Sequence, residues 1–472
     1  MRKDKDRQLV LGFQPSNLKI TNEYFGRYEA ISKILDNTPE ILKLVHKELK
    51  DQLEKEGNRK VKGRWCRYTS DNVLRILLCQ VIEGESLRGI VVRIDDSHFL
   101  RGFTGIHDGP MMDYSTLCRL KNAIQEETWK KINLALGRSA VEKGQITGEE
   151  LRVDTTAFES NIHYPTDSSL LWDIYRVLSE AIKKVREIDP EVVGKRRLNP
   201  KKAKRLHLWI TRKAGKKSAD GPAMKKRYSA LIERVEGVLA LALEVAQGLG
   251  VGLERNRYSF EDGIEAEYLL DRLNHFCELG AHVVDQARRR VFGEEKVPAE
   301  EKVLSIFEPH VELLIRGKAG KPVEFGHMVL FQQTGEKFIT DYETFEKKPV
   351  EHQLIEPVLK SHRKLFGHDP RVLTADKGFY QSMDQIARLE EKIETVSIAK
   401  KGSRTKEERA REHSIDFKIA QRFRAGIEGT ISFLKRVLRM FRCFNKGWEH
   451  FQATVGAIVL AHNLLVLARG YS

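Results

Sequence analysis

The sequence predicts an α/β protein in which a large helical insertion interrupts a mixed sheet and an all-helical N-terminal domain precedes it. Three observations lead to this fold class. Helical periodicity covers most of the first 145 residues, and one β-compatible segment follows at 151–160. The other short strands begin only after about 140 further, mainly helical residues. A helical insertion into one α/β domain is the simplest explanation of that gap.

The N-terminal region contains two helices of particular interest. Thr69, Ser70 and Asp71 can cap a helix of closely spaced apolar residues. A loop rich in Gly and Asp at 102–113 then leads to a shorter helix that exposes Arg119 and Lys121. A helix, a turn and a basic helix fit a module that reads DNA, and generic helical packing explains the pattern equally well.

The insertion carries most of the net positive charge. The chain has 82 Lys and Arg against 67 Asp and Glu, a net charge of +15, and residues 183–227 alone hold 17 of the former and 4 of the latter. This surplus predicts a polyanionic partner, first of all nucleic acid. A solvated, partly disordered charged face is the alternative, although Leu206 and Trp209 interleave with the charges as in an ordered segment. The candidate DNA contacts are Lys201, Lys202, Lys204 and Arg205.

Strands and helices alternate after the insertion. The predicted strands lie at 303–307, 311–316, 325–332, 337–340, 371–376 and 395–399, with a turn at 318–322. The predicted helices lie at 350–364, 381–391 and 417–441.

The cysteines and the most apolar segment exclude other classes of protein. The five cysteines are widely spaced and form no C-x-x-C pair, so we expect reduced thiols in a cytosolic protein. The segment 455–468 contains His462 and Asn463 and is too short and polar for a membrane span, so we expect a buried helix and no membrane partner.

Two acidic residues stand at the ends of apolar, β-compatible segments. Asp154 follows Leu151 and Val153, and Asp376 follows the short strand of "RVLTAD". Sites in α/β sheets usually form at the carboxyl ends of strands. An Asp that ends a strand and caps the next turn is the common alternative.

A third acid lies on the last of the predicted helices before the C-terminal apolar segment. Glu428 is four residues after Arg424 and seven before Lys435, so the three share one helical face, and Arg439 continues the line. An exposed i, i+4 ion pair is the alternative and stabilises a helix by only about 0.3–0.5 kcal/mol.

Three carboxylates on two strand ends and a helix form the set needed for two-metal phosphoryl transfer. Carboxylates suit Mg²⁺, which keeps several waters and needs few protein ligands. Neighbouring Arg and Lys side chains can then bind phosphate oxygens.

In their order and local contexts, Asp154, Asp376 and Glu428 resemble the acids of the DDE transposases of bacterial insertion sequences, which have an RNase H-like core. The helix matches their R-x3-E-x6-K signature through Arg424, Glu428 and Lys435. That signature normally begins with Tyr, and this chain has Gln421 there. The segments "NIHYPTDSSLLWD" and "RGKAGKPVEFG" are also similar to stretches of one branch of this family.

The resemblance implies a metal site and a function. Asp154, Asp376 and Glu428 would bind two Mg²⁺ ions, with Mn²⁺ as a possible substitute, while Arg424, Lys435 and Arg439 would contact end-DNA phosphates. The enzyme would bind the terminal inverted repeats, cleave the transposon ends and join each 3′-OH to target DNA. A homodimer or larger assembly on double-stranded DNA, in the nucleoid-associated part of the bacterial cytoplasm, would be expected.

The expected domains follow from the same reading. Residues 1–145 would form a helical DNA-binding domain, and residues 146–472 an RNase H-like catalytic domain interrupted at about 165–300. Two alternatives stay open: an RNase H-like endonuclease that cuts without strand transfer, and a domesticated, non-catalytic DNA-binding protein.

Overall fold

The computed structural model describes residues 4–5, 16–55, 67–214, 221–318 and 321–471. The chain divides into two compact units, one made of residues 1–161 and 326–472 and the other of residues 162–325. Most of the basic arm at the start of the chain and part of the predicted turn at 318–322 lie outside the described residues. The domain boundaries expected near residues 145, 165 and 300 stay predictions.

In the part of the chain that the structure describes, the first unit begins with seven helices. In chain order they are α1 (Lys19–Asp36), α2 (Pro39–Lys55), α3 (Ser70–Ile82), α4 (Leu87–Asp96), α5 (His98–Thr104), α6 (Tyr114–Asn122) and α7 (Glu126–Glu142). Of the three residues predicted as possible caps of α3, Thr69 is the one that caps it, in a capping box with Asn72. Strand β1 (Glu150–Ser160) follows and ends where the chain enters the second unit.

The second unit is mainly helical. Its elements are α8 (Asp167–Ile188), α9 (Pro190–Val193), α10 (Pro200–Lys213), α11 (Gly221–Glu254), α12 (Phe260–Val291) and β2 (Glu312–Lys318). Helices α8, α11 and α12 pack on one another around a core of aliphatic side chains. The strand predicted at 303–307 is wrong: the segment has no regular structure, and Ile306 is buried because it packs into this helical core.

The chain then returns to the first unit through strand β3 (Lys321–Thr334). The remaining elements are β4 (Ile339–Phe345), α13 (Ile355–Phe366), β5 (Val372–Ala375), α14 (Met383–Glu390), β6 (Thr395–Ile398), α15 (Lys406–His413), α16 (Ile415–Arg436), β7 (Arg442–Cys443) and α17 (Trp448–Ala468).

These strands form a mixed sheet in the order β2-β3-β1-β5-β6, with β4 on β3 and β7 on β1. Strand β1 pairs antiparallel with β3 and parallel with β5, and β5 pairs parallel with β6. Mixed pairing with helices on the sheet confirms the predicted α/β class. Strand β1 lies inside the sheet and is buried at most positions of both faces, because helices pack on the sheet, which explains why its first half reads as an apolar strand.

The N-terminal helices and the sheet share one hydrophobic core. Two buried asparagines connect them: Asn133 of α7 donates to the carbonyl oxygen of Thr340 at 2.9 Å, and Asn463 of α17 donates to the Asn133 side-chain oxygen at 2.8 Å. Asn463 also accepts from the Ile339 N–H at 2.8 Å. Buried amides that are fully paired in this way fix one arrangement of helix, strand and helix.

Two helices are long and apolar enough to cross a membrane by length and composition, α11 and α17. In α17, 83% of the apolar window is buried within the protein, and in α11 the value is 50%. Core helices pass the same test, so their composition is only weak support for a membrane span.

Candidate active site

Asp154 and Asp376 lie side by side on neighbouring parallel strands. Val153 of β1 is the register partner of Ala375, the last residue of β5. One step further along both chains come Asp154 and Asp376, and the backbone at Asp376 is still extended. Neighbouring strands are about 4.8 Å apart. The structure therefore brings together two of the three predicted acids, which are 222 positions apart in the sequence.

The backbone orients both carboxylates in the same way. The N–H of Thr155 donates to Asp154 Oδ1 at 2.7 Å, and the N–H of Lys377 donates to Asp376 Oδ1 at 2.6 Å. Asp154 is partly buried, whereas Asp376 is exposed. Asp376 thus caps the turn that follows it, and its exposure keeps the carboxylate accessible from solvent.

Glu351, which the sequence analysis missed, supports the strand ends that carry the two aspartates. The Thr155 hydroxyl donates to Glu351 Oε1 at 2.6 Å, and Gly378 lies so close that a Cβ there would be 1.7 Å from Glu351 Oε2. Thr155 alternates with Asp154 along the strand, so Glu351 supports the site from the opposite face of the sheet. No local pattern could have revealed it, because its partners are far away in the sequence.

Helix α16 crosses the sheet over a row of four buried polar side chains, one from each of four strands. Register pairs Arg152 of β1 with Gln333 and with Thr374, and Thr374 with Ser397. All four side chains are buried. We call these residues (Gln333, Arg152, Thr374 and Ser397) the polar row. Arg152 and Thr374 each precede one of the two aspartates by two residues, so the polar row lies on the face to which both aspartates point.

Three residues of the polar row form hydrogen bonds with α16: Ser397, Arg152 and Gln333. The Ser397 hydroxyl donates to the carbonyl oxygen of Phe417 at 3.2 Å, and Gln421 donates to the Ser397 hydroxyl at 2.9 Å. At the other end, Gln333 donates to the hydroxyl of Thr430 at 2.9 Å. Gln421, which stands where the resembled family has Tyr, therefore anchors the helix to β6.

Arg152 is the central contact of the polar row. Its Nε donates to Gln333 Oε1 at 2.8 Å, its Nη1 donates to the carbonyl oxygen of Phe423 at 3.0 Å, and its guanidinium lies 4.7 Å from the centre of the Phe423 ring. Burial lowers the pKa of the guanidinium. Among the described residues Nη2 has no hydrogen-bond partner. Arg152 therefore ties the strand that carries Asp154 to the helix that carries Glu428.

Gly426 makes this close approach possible. A Cβ at position 426 would lie 2.1 Å from Arg152 Nη1 and 3.0 Å from Cζ. Gly429, one turn further along the same helix, has no atom within 4 Å of the corresponding position. Only the first glycine is required by packing.

Glu428 does not join the two aspartates in a closed cluster. Its side chain is 62% exposed, and its Oε1 accepts from Arg424 Nη2 at 3.2 Å. Lys435 follows two turns later and is partly buried. In the described parts of the chain, no group of three His, Cys, Asp or Glu is close enough to hold a metal ion.

Arg439 is not on the helical face where the sequence analysis placed it. Helix α16 ends at Arg436, and Arg439 has a left-handed backbone with φ of 57°. The N–H of Met440 bonds the Leu434 carbonyl at 2.9 Å, so the chain turns back at this point. The line from Arg424 through Glu428 to Lys435 therefore stops before Arg439.

The predicted basic contacts of the first unit differ in exposure. Arg119 of α6 is exposed, whereas Lys121 is partly buried. Lys121 Nζ lies 3.5 Å from Gln80 Oε1 and 3.4 Å from Asn445 Oδ1.

In the second unit, the basic window contains an ordered helix. Lys201, Lys202, Lys204 and Arg205 are all exposed on α10. Its opposite face is buried through Ala203, Leu206 and Ile210, so the alternative of a partly disordered segment does not hold for residues 200–213. Lys216 and Lys217 lie outside the described residues.

The donor set at the strand ends suits a hard divalent cation in part. Asp154 and Asp376 are adjacent carboxylates, and Mg²⁺ needs few protein ligands because it keeps several waters. Their shared orientation and the exposure of Asp376 fit such an ion. Glu428 is held by Arg424, so it completes the set only if that ion pair opens.

A family model described as a transposase DDE domain matches residues 317–464. The chain contains a transposase DDE domain. The matched segment includes Asp376, Arg424, Glu428 and Lys435. It begins after Asp154, which the parallel register of β1 and β5 places next to Asp376. The mixed sheet agrees with the RNase H-like core expected for a DDE domain. No significant match was found among curated proteins or among solved structures.

Proposed function

We propose that the protein is the transposase of a bacterial insertion sequence, of the branch with the R-x3-E-x6-K signature. The observation that carries this proposal is the pairing of Asp154 with Asp376 inside a fold that contains a transposase DDE domain. Helix α16, which bears the signature, packs across β1, β5 and β6. DNA is the partner that such a domain implies.

The proposed reaction is cleavage at the transposon ends followed by attack of the freed 3′-OH on target DNA. Asp154, Asp376 and Glu428 would hold divalent metal, two Mg²⁺ ions with Mn²⁺ as a substitute. When bound, the metal activates the attacking hydroxyl and stabilises the leaving oxygen. Once Glu428 holds the metal, its carboxylate would no longer need Arg424 as a partner. Arg424 would then bind a DNA phosphate, because a guanidinium pairs well with phosphate oxygens.

The proposed DNA contacts fall in both units. Lys435 and Arg439 would bind phosphates of the transposon end near the active site, and Arg119 with Lys121 would contribute from the N-terminal helices. The exposed cations of α10 would supply a sequence-independent contact with the backbone of DNA. We expect a dimer or larger assembly on paired ends, in the bacterial cytoplasm.

The test is a joining assay with labelled end DNA of the element, a target plasmid and Mg²⁺. Joined product is expected from the natural chain. Asp154→Asn should abolish joining because it removes the charge with little change in shape. The matched control is Asp384→Asn, an exposed acid on α14 in the same domain, which should leave the yield unchanged.

The assay also separates the alternatives. Cleavage without joining would identify an endonuclease, and binding without cleavage a DNA-binding protein that has lost activity. Full activity of Asp154→Asn would show that the acids are assigned to the wrong site.

A further inference from the structure

An open cavity of about 1090 Å³ lies in the first unit, at the C-terminal half of the strand that carries Asp154. The turn between α3 and α4, helix α6, the far half of β1 and the segment after α16 line it. Five basic side chains face it against two acidic ones, Glu85 and Glu449. The basic residues are Arg88, Arg119, Lys121, Arg439 and Arg442. The surplus of positive charge favours an anionic occupant.

Lys121 is a partly buried cation of the cavity wall that has no carboxylate partner in the described residues. Its only hydrogen-bond partners in the described residues are the neutral amide oxygens of Gln80 and Asn445, at 3.5 and 3.4 Å. Burial lowers the pKa of its ammonium group. A cation removed from water without a carboxylate beside it is unfavourable. An anion bound in the cavity would offset that cost.

Arg439 lines the same cavity, and its backbone conformation is unusual. Its φ of 57° is left-handed, and its Nε lies 2.9 Å from where a Cβ of Gly84 would be. Gly84 is itself left-handed, with φ of 61°. In the described residues Arg439 forms no ion pair. The left-handed backbone of Arg439, a conformation uncommon for a residue with a side chain, therefore holds a guanidinium at the cavity wall beside Gly84, where a Cβ would collide with it.

Aromatic side chains stand beside these cations. Phe444 is 62% exposed, and Tyr114 is 38% exposed with the guanidinium of Arg88 4.4 Å from its ring centre. Exposed aromatic rings next to cations are the combination with which proteins bind single-stranded nucleic acid, since each base stacks on a ring while cations contact the phosphates. Duplex DNA keeps its bases stacked on each other and cannot use the rings.

The cavity is on the side of the sheet that carries the aspartates. Phe158, which lines the cavity, is four residues after Asp154 on the same strand and therefore on the same face. Four residues of a strand span about 13 Å. One strand of DNA rises about 3.4 Å per nucleotide, so roughly four nucleotides would cover that distance.

We propose that this cavity binds single-stranded DNA, with a phosphodiester at Lys121 and Arg439 and a base against Phe444. The proposal rests on the proposed function, because it assumes DNA as the ligand. It adds that an unpaired strand is held beside the active site by the N-terminal helices.

Cys118 provides a native probe of occupancy. This thiol is free, partly exposed and part of the cavity wall. We would measure its rate of alkylation by N-ethylmaleimide in the full chain, by mass spectrometry of the peptide that contains it. An oligodeoxythymidine at about ten times its dissociation constant should slow alkylation about tenfold. Lys121→Met should remove the protection, and Lys143→Met, an exposed lysine at the end of α7, should keep it.

A second variant covers the possibility that Lys121→Met folds poorly. Phe444→Leu changes an exposed side chain and should weaken binding of the oligonucleotide roughly tenfold. Equal protection by inorganic phosphate would mean a free-anion site, and equal protection by a blunt duplex would mean ordinary duplex binding. Either result, or protection that survives both substitutions, would overturn the proposal.

The two proposals fail in different ways. Asp154→Asn should abolish joining but leave the protection of Cys118 intact. A chain that never cleaves end DNA but still shows oligonucleotide protection would refute the proposed reaction alone. A chain that joins DNA without protection of Cys118 would refute the cavity alone.

Discussion

The cations of α10 and the single cation of β1 have opposite environments. Lys201, Lys202 and Lys204 are exposed and surrounded by other positive charges. Arg152 is 3% exposed and is held by the neutral oxygens of Gln333 and Phe423. The dense positive charge of α10 therefore lies on a surface that stabilises the fold little. The single arginine of β1, in contrast, forms a buried contact on which the packing of α16 depends.

The largest expected effect is at Arg152. Arg152→Ala removes a buried side chain and takes one donor away from each of two acceptors, Gln333 Oε1 and the Phe423 carbonyl oxygen, so we expect a loss of about 3 kcal/mol in the free energy of unfolding. Arg205→Ala on α10 is the matched control and should change it by less than about 0.5 kcal/mol. Urea denaturation followed by circular dichroism measures both. Equal losses would show that burial does not distinguish the two arginines.

Gly426→Ala should have the next largest effect. The added Cβ would lie 2.1 Å from Arg152 Nη1, and overpacking of this kind costs about 2 kcal/mol. Gly429→Ala, on the same helix with open space around it, should instead stabilise by about 0.5–1 kcal/mol.

A double-mutant cycle identifies the cause. In the Arg152→Ala background the atoms that Gly426→Ala would meet are absent, so the second substitution should no longer destabilise and, like Gly429→Ala, should be neutral or slightly stabilising. An unchanged cost would place the clash elsewhere.

The titration of His462 should have a smaller effect, confined to acidic pH. Burial lowers the pKa of His462 to about 4 from the usual 6.5, while its Nε2 is 3.0 Å from the carbonyl oxygen of Lys337. The unfolded chain takes up the proton first, so stability that is present above pH 6.5 is lost as the pH falls towards 4. At pH 5.5 this amounts to about 1.4 kcal/mol.

His462→Gln keeps a donor for Lys337 and removes the titration. The variant should lose correspondingly less stability between pH 6.5 and 5.5 than the natural chain in thermal or urea unfolding. His362, whose pKa is also lowered to about 4 by burial, acts in the same range and accounts for part of the remaining loss. Parallel pH profiles for both proteins would contradict a neutral His462.

The smallest effect on stability is expected for the basic face of α10. Replacement of its four candidate DNA contacts by Gln should change the free energy of unfolding by less than about 0.5 kcal/mol. If all four contact phosphates, the slope of log affinity against log salt should fall by about 3 to 4. Binding isotherms at several salt concentrations measure the slope. An unchanged slope would exclude α10 from the DNA interface.

The sequence predicted the elements of the site better than their arrangement. Asp154 and Asp376 could be recognised because each ends a short apolar segment, and Glu428 because of its spacing from Arg424 and Lys435. The parallel register that places the two aspartates together depends on pairing between distant strands, which no local pattern encodes. Arg152 was overlooked for the same reason: its partners lie 181 and 271 positions away.

The errors have local physical causes. Arg439 was placed on a helix because the apolar spacing continues to Phe441, but the chain turns back after Arg436 and buries Leu438 and Met440 without helical backbone. Residues 303–307 have strand-like alternation, yet Ile306 is buried against helices. In both segments the apolar residues are spaced as in a helix or a strand because they are buried, although the backbone there is neither.

The attachment of the second unit has a consequence for the evolution of the protein. The pairing of β1 with β3 ends at Glu159 and Gly326, which are register partners, and the second unit lies between these two residues in the chain. Strands β1 and β3 pair like the two strands of a β-hairpin, and the second unit stands where the hairpin loop would be. The entropy cost of closing a loop grows only slowly with its length. Modules of very different size can therefore be exchanged at this hairpin without disturbing the aspartate pair five residues further up the strand.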